Sequence, residues 1–188
     1  MNPHRFFIGR AIGFLVVIAV GAFVYFFFYH PESRQEEAAS TASSTPAYEN
    51  ISYRIEGKDV LLKNGYAEYE YSSGSASKMI TRYFGNEATG DLNGDGMPDV
   101  AFLLTQDGGG TGTFYYAVVA LKTTNGYTGT NAIYLGDRIA PQTTEIRDGE
   151  LIVNYATRKE GEPMAARPSV GVSTYLHVYN GVLSENED

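Results

Sequence analysis

A short acidic segment, residues 90–99, contains the side chains whose types and spacing best suit a chemical site. It reads GDLNGDGMPD, and Asp91, Asn93, Asp95 and Asp99 fall at positions 1, 3, 5 and 9 of a loop. Calcium prefers about six to eight oxygen ligands, which alternate side chains of such a loop can supply. Position 7 is Met97, whose backbone carbonyl is a further ligand of this kind. The segment therefore predicts a calcium site formed by these five residues.

Two alternatives remain open for the same segment. Asp, Asn and Gly are common in turns, so the loop could be a turn that holds no ion. A different metal is the second alternative, but zinc and copper favour His or Cys ligands, and the loop contains neither. Calcium is accordingly the cofactor that the sequence predicts.

The loop resembles two families of calcium loop. An EF-hand needs a bidentate Glu at position 12, where this chain has Phe102 within an apolar run. The closer resemblance is to the DxNxDGxxD loop of integrin-type FG-GAP repeats, which agrees over nine residues and is followed by a strand. That resemblance implies a calcium ion held by a hairpin. It does not imply a propeller, because propellers need several repeats and this chain has one.

A longer stretch, about residues 85–180, resembles a group of uncharacterised bacterial envelope and secreted β domains. The shared features are the Asp-rich loop, a GTGTFYY turn at residues 110–116 and an LGDR segment at residues 135–138. Members of that group often carry paired cysteines after Pro163-Met164, where this chain has Ala165 and Ala166. The resemblance therefore implies fold and localisation, while a disulfide or redox role is not carried over.

Residues 11–29 read AIGFLVVIAVGAFVYFFFY and contain no charge. As a helix they would span about 28 Å, close to the ~30 Å hydrocarbon core of a membrane. Two arginines precede this stretch and three glutamates follow it, so the positive-inside rule places residues 1–10 in the cytoplasm. The sequence predicts a single-pass signal anchor in the cytoplasmic (inner) membrane, oriented N-in/C-out, with the domain in the periplasm or extracellular space. A cleaved signal peptide is the alternative.

The rest of the chain divides by composition. Residues 30–50 are rich in Ser, Thr, Ala and Glu and predict a flexible linker, residues 51–184 predict a folded domain, and residues 185–188 an acidic tail. Beyond residue 30 lie 12 basic and 22 acidic residues, a formal net charge of −10, which disfavours nucleic acid and anionic lipid as partners. The absence of cysteine excludes a disulfide framework, a thiolate metal site and a lipoprotein leader.

The folded domain alternates β-rich runs with turn dipeptides, which predicts an all-β antiparallel fold of about nine strands, arranged as a meander, sandwich or open barrel. The nine runs are ISYRI, DVLLK, YAEYEY, KMITRYF, DVAFLLT, TFYYAVVALK, NAIYL, ELIVNYA and VSTYLHVY. VAFLL and YYAVVAL are continuously apolar, so we expect these two strands to be central and covered on both faces. The pattern also allows one short helix around residues 76–84.

Other candidate residues have weaker signals. The glycine-rich stretch 106–113 lacks Lys and precedes a strand, which favours a hairpin turn over a phosphate loop, with a ligand-contacting loop as the alternative. His177 would need a nucleophile and an orienting acid to act as a base, and no catalytic signature is present. Asp137 is expected to pair with Arg138 or, alternatively, to add a calcium ligand. The tyrosine-rich strands are candidates for binding sugars or peptides.

The predicted function is a membrane-anchored extracytoplasmic domain, stabilised by calcium, with a binding or structural role at the bacterial cell envelope. Its expected partners are the membrane, through one helix, and an envelope protein or polysaccharide. The alternative is an envelope hydrolase acting on cell-wall or carbohydrate substrate. Such an enzyme would need two carboxylates with separated pKa values, and the sequence alone nominates no pair, so no catalytic residue is predicted.

Overall fold

The computed structural model describes residues 45–71, 74 and 77–185, and one compact unit begins at Thr45. Within these described residues no helix is both long and apolar enough to cross a membrane. The stretch 11–29 and the tail residues 186–188 lie outside them, so the transmembrane helix stays a prediction.

The described residues form one short 3-10 helix and twelve strands. The helix is Ala47–Asn50, and the strands are β1 Ser52–Ile55, β2 Lys58–Leu61, β3 Tyr66–Glu70, β4 Lys78–Gly90, β5 Asp99–Asp107, β6 Phe114–Thr123, β7 Gly126–Gly129, β8 Ile133–Asp137, β9 Ala140–Arg147, β10 Glu150–Thr157, β11 Val170–Tyr179 and β12 Val182–Glu185. Every pairing between these strands is antiparallel. The predicted all-β antiparallel class is therefore confirmed.

The strands make three sheets that follow the order of the chain. β1 pairs with β2 as a separate hairpin, β3 to β7 make one sheet in sequence order, and β9 to β12 make another. β8 completes the larger sheet to six strands by pairing with β6. Because neighbours in sequence are neighbours in space, short turns make most of the connections.

The six-stranded sheet carries an apolar cluster on each face. On one face, Ala101 and Leu103 of β5 pack in a cluster with Leu151 and Val153 of the four-stranded sheet. On the other face, β5 and β6 contribute to a cluster with the β1–β2 hairpin, which adds Tyr53, Ile55, Val60 and Leu62. The five residues from Val100 to Leu104 are all buried, which confirms that the VAFLL strand is covered on both faces. In β6 the six residues from Tyr116 to Leu121 are buried and alternate between the two clusters, so this strand is also covered on both faces.

Four of the predicted turn dipeptides have the left-handed backbone that tight hairpins require. Both residues have φ between +49° and +80° in Glu56-Gly57, Asn64-Gly65, Asp148-Gly149 and Asn180-Gly181. These pairs connect β1 to β2, β2 to β3, β9 to β10 and β11 to β12. The turn chemistry in the sequence thus fixes most of the meander.

The structure departs from the expected elements in three places. Twelve strands replace the nine expected, because β7, β9 and β12 had no apolar run, and all three are edge strands. The helix allowed around 76–84 is wrong, since β4 occupies Lys78–Gly90. The last residues of the predicted linker belong to the domain, because the 3-10 helix Ala47–Asn50 makes backbone and side-chain contacts with it.

Candidate functional site

The predicted calcium loop connects β4 to β5 and is organised on its own backbone. Asp91 accepts hydrogen bonds from the backbone N–H of Gly94 at 2.8 Å and of Gly96 at 2.9 Å, one on each carboxylate oxygen. Gly94 and Gly96 have φ of +79° and +80°, a conformation that favours glycine. The first carboxylate of the loop is thereby turned inward over the bend.

The next two predicted ligands repeat this arrangement. The Asn93 Oδ1 accepts from the Asp95 N–H at 3.0 Å, and the Asp95 Oδ1 accepts from the Met97 N–H at 2.8 Å. The Asn93 amide also donates to the Asp95 Oδ2 at 3.0 Å. The structure therefore brings Asp91, Asn93, Asp95 and Met97 together on one turn.

Asp99 lies beneath this turn and is fully buried. Its Oδ2 accepts from the Leu92 N–H at 3.0 Å and its Oδ1 accepts from the Lys122 N–H at 2.7 Å. Asp99 thus ties the start of the loop to the end of β6. Burial is the main cause that raises the pKa of the Asp99 carboxyl, and the nearby charges of Asp95 and Asp91 raise it further. The hydrogen bonds from the two backbone N–H groups act in the opposite direction.

The side-chain oxygens of this loop are of the kind that calcium prefers. They belong to the carboxylates of Asp91, Asp95 and Asp99 and to the amide carbonyl of Asn93, and each bonded carboxylate oxygen retains a second lone pair. The backbone N–H of Gly96 is the first cause of a pKa of Asp91 below its usual range, so this group stays ionised. Among the described residues no three His, Cys, Asp or Glu side chains converge as a metal-holding group, so the amide and a backbone carbonyl would have to contribute.

Asp137 is not close to the calcium loop, and its alternative role as a further calcium ligand is wrong. It lies opposite Phe114, at the end of β6 that is remote from Lys122. Phe114 and Lys122 are eight residues apart on β6, which corresponds to about 27 Å along the strand. Instead, Asp137 accepts from the Thr113 N–H at 2.9 Å and pairs with Arg138 at 2.8 Å, which confirms the expected ion pair.

The structure places an acid and a hydroxyl beside His177, which the sequence did not show. His177 Nε2 lies 3.1 Å from Glu150 Oε1 on β10, and Ser184 is the residue directly opposite on β12. In the part of the chain that the structure describes, no hydrogen bond joins Ser184 to His177. The His177 side chain is 43% exposed. The arrangement is therefore that of a surface ion pair, and it does not include a serine activated by a histidine base.

A cluster of two glutamates and two tyrosines fastens the 3-10 helix to β4. The hydroxyls of Tyr48 and Tyr83 both donate to the Glu87 Oε1 at 2.6 Å. A bulge in β4 provides the local bend before Glu87. Burial, and next the charge of Glu87, raises the pKa of Glu49. Sequence reasoning missed this cluster because Tyr48 and Glu49 lay in the predicted linker.

The glycine-rich loop connects β5 to β6, as expected of a hairpin connection. It borders an open cavity of about 350 Å³ whose lining includes Tyr71, Met79 and Phe114. Tyr71 is 69% exposed, so an aromatic ring stands free beside the loop. This cavity lies at the opposite end of β5 from the calcium loop.

A scan against protein-family models, a search of curated proteins and a search of solved structures each found no match. The resemblance to FG-GAP loops and to bacterial envelope domains therefore stays a prediction from the sequence.

Proposed function

We propose that this chain is a membrane-anchored module with a binding or structural role at the bacterial cell envelope, stabilised by one calcium ion in an FG-GAP-like loop. Residues 11–29 would anchor it as a single transmembrane helix, with the stacked β-meander on the extracytoplasmic side. The observation that carries the proposal is the turn Asp91–Met97, in which the side-chain oxygens of Asp91, Asn93 and Asp95 are already oriented by the loop's own N–H groups.

The position of the loop explains how calcium would stabilise the fold. The loop lies between β4 and β5, and Asp99 at its end bonds to the backbone of Lys122 at the end of β6. An ion here would join three neighbouring strands and offset the repulsion among Asp91, Asp95 and Asp99. A ligand that binds only the folded state stabilises it by about 2.7 kcal/mol at a concentration one hundred times its Kd.

The charge of the chain supports the location and the class of partner. The −10 charge beyond residue 30 suits a domain that is held away from anionic lipid headgroups and that does not bind nucleic acid. The hydrolase alternative has less support. It needs two carboxylates with separated pKa values, and in the Glu49–Glu87 pair the Glu87 Oε1 already accepts hydrogen bonds from two tyrosine hydroxyls. A polysaccharide or an envelope protein is the partner class proposed.

The test is thermal unfolding of the full-length chain in detergent with calcium, with magnesium and with chelator. We expect calcium to raise the Tm by roughly 10 °C, from 2.7 kcal/mol and the usual entropy of unfolding for this size. Asp95→Ala should abolish the response, because it removes one of the proposed calcium ligands. Asp95 is exposed, so the variant should still fold. Asp107→Ala is the matched control, since the Asp107 Oδ1 also accepts from the N–H two residues ahead, at 2.7 Å.

The control variant should respond to calcium as the unmodified chain does. An unmodified chain with the same Tm in calcium and in chelator would show that the loop is only a turn, and the calcium proposal would be abandoned.

A further inference from the structure

The 3-10 helix Ala47–Asn50 is held to the domain by hydrogen bonds and ring contacts rather than by buried side chains. None of its four residues is buried. Beside it, the Gly65 N–H donates to the Glu49 carbonyl oxygen at 2.9 Å, and the Asn64 N–H donates to the Asn50 Oδ1 at 2.8 Å. Segments at the start of a domain that bury little surface open at low free energy. The helix is accordingly an element with two states, docked and released, while the sheets stay folded.

One chain of contacts connects this helix to the start of the calcium loop. The Tyr48 hydroxyl donates to the Glu87 Oε1 at 2.6 Å, and the Tyr83 hydroxyl donates to the same oxygen at 2.6 Å. Glu87 lies on β4, four residues before Asp91, the first proposed calcium ligand. The position of Glu87 is therefore shared by the docked helix and by the end of the strand that leads into the loop.

A second chain of contacts connects the helix to the end of the loop. The Asp99 Oδ1 accepts from the Lys122 N–H at 2.7 Å, and the Lys122 Nζ lies 4.3 Å from the centre of the Tyr127 ring on β7. The Tyr127 ring packs edge-on against the Tyr48 ring at 5.6 Å. Tyr48 thus contacts residues that lead to both ends of the calcium loop.

We propose that calcium in the loop stabilises the docked position of the 3-10 helix. An ion that orders both ends of the loop also fixes Glu87 and Lys122, and these residues set the positions of the groups that Tyr48 contacts. Coupling between two sites acts in both directions, so the docked helix must also tighten calcium binding. The inference rests on the proposed calcium site and names what the ion regulates there.

The consequence concerns the reach of the domain. Release of residues 45–50 would add up to about 20 Å to the predicted linker. Calcium would therefore limit how far the domain can move from the membrane to which residues 11–29 are proposed to anchor it.

The test is amide hydrogen exchange, followed by NMR on the full-length chain in detergent, with calcium and with chelator. Calcium should slow the exchange of the Asn64 and Gly65 N–H groups by about fivefold or more, because their hydrogen-bond acceptors belong to the docked helix. The Gly109 N–H is the matched control. It also donates to a side-chain oxygen, that of Asp107 at 2.7 Å, but it lies at the opposite end of β5, so its exchange should not change.

The reciprocal effect is measured by calorimetric titration of calcium into variants of Tyr48. Tyr48→Ala removes both chains of contacts and should weaken calcium binding by about fivefold or more. Tyr48→Phe keeps the ring but removes the hydrogen bond to Glu87, so it should weaken binding by a smaller factor and should fold in any case. Tyr66→Phe is the matched control, since the Tyr66 hydroxyl also donates to a glutamate, Glu68, at 2.6 Å, and it should bind calcium as the unmodified chain does.

The outcomes separate this inference from the calcium proposal. A Tm raised by calcium together with unchanged exchange at Asn64 and Gly65 would overturn the inference and leave the calcium proposal standing. Equal calcium affinities of Tyr48→Ala, Tyr48→Phe and Tyr66→Phe would do the same. If the Tm does not respond to calcium either, the loop holds no ion and both proposals are abandoned.

Discussion

Replacing Tyr48 tests whether the segment after the predicted linker belongs to the folded domain. The ring of Tyr48 lies 5.7 Å from that of Phe102 and 5.6 Å, edge-on, from that of Tyr127. Its hydroxyl donates to the Glu87 Oε1, and its carbonyl oxygen accepts from the Tyr53 hydroxyl at 2.7 Å. One side chain therefore joins the 3-10 helix to β4, β5 and β7.

The expected cost follows from these contacts. Tyr48→Phe removes one hydrogen bond to a carboxylate, about 1.5 kcal/mol at the low end of the usual range because Glu87 is exposed. Tyr48→Ala also removes the ring. Truncating a fully buried aromatic side chain lowers the free energy of unfolding by about 3–5 kcal/mol, and a half-buried one by about half of that. We therefore expect a total loss of about 3 kcal/mol for Tyr48→Ala, and a Tm lower by roughly 10 °C.

The assay is equilibrium unfolding in urea of the full-length chain, with Tyr179→Ala as the control because that ring is 75% exposed. A second variant, Tyr83→Phe, extends the test, since Tyr83 and Tyr48 donate to the same oxygen. Their double variant should depart from additivity by about 0.5 kcal/mol or more. If Tyr48→Ala changed the free energy of unfolding by no more than Tyr179→Ala, residues 45–50 would be part of the linker after all.

Two further predictions concern backbone packing and pH. Gly129→Ala should destabilise the fold by about 2 kcal/mol or more, because the added Cβ would overlap the carbonyl oxygen of Ser52. Urea unfolding of the full chain measures this. An unchanged midpoint would show that β1 can move aside. Asp91 has a lowered pKa in the folded state, so its contribution to stability is present above about pH 4 and is lost as pH falls through that lower pKa. In chelator, the free energy of unfolding of Asp91→Asn should therefore be lower than that of the unmodified chain at pH 7, and the difference should shrink as the pH falls toward about 2. A difference that persisted at that pH would show that the ionised carboxylate of Asp91 is not the source of the stability.

The sequence predicted the interior of the fold better than its edges. The VAFLL and YYAVVAL runs indicated strands covered on both faces, and the structure buries all of the first run and the second from Tyr116 onward. β9, in contrast, contains Pro141 and is mostly polar, because an edge strand needs neither a full ladder of N–H groups nor two apolar faces. Apolar patterning reports burial, so strands that are only partly buried leave little signal in it.

The candidate site shows the same division between local and distant determinants. Asp91, Asn93 and Asp95 lie within five residues and meet through bonds that their spacing alone predicts. The partner of Asp99 on β6, and the meeting of Tyr48 with Glu87 across 39 residues, depend on how the strands are paired. No local pattern encodes such contacts, which is why the tyrosine–glutamate cluster could not be predicted.

β5 connects the calcium loop to the glycine-rich loop, and this determines how far the effect of calcium can extend along the sheet. Asp99 begins β5 beside the calcium loop, and Asp107 ends it beside the glycine-rich loop, about 27 Å apart for an extended strand. β5 pairs with β4 on one side and β6 on the other, and both of its faces are covered by apolar clusters. A strand held on four sides has no second arrangement to adopt, and coupling between sites needs one. Calcium should therefore raise the stability of the whole domain without changing the backbone beside the glycine-rich loop, so amide hydrogen exchange at Gly109, measured well below the Tm, should be the same in calcium and in chelator.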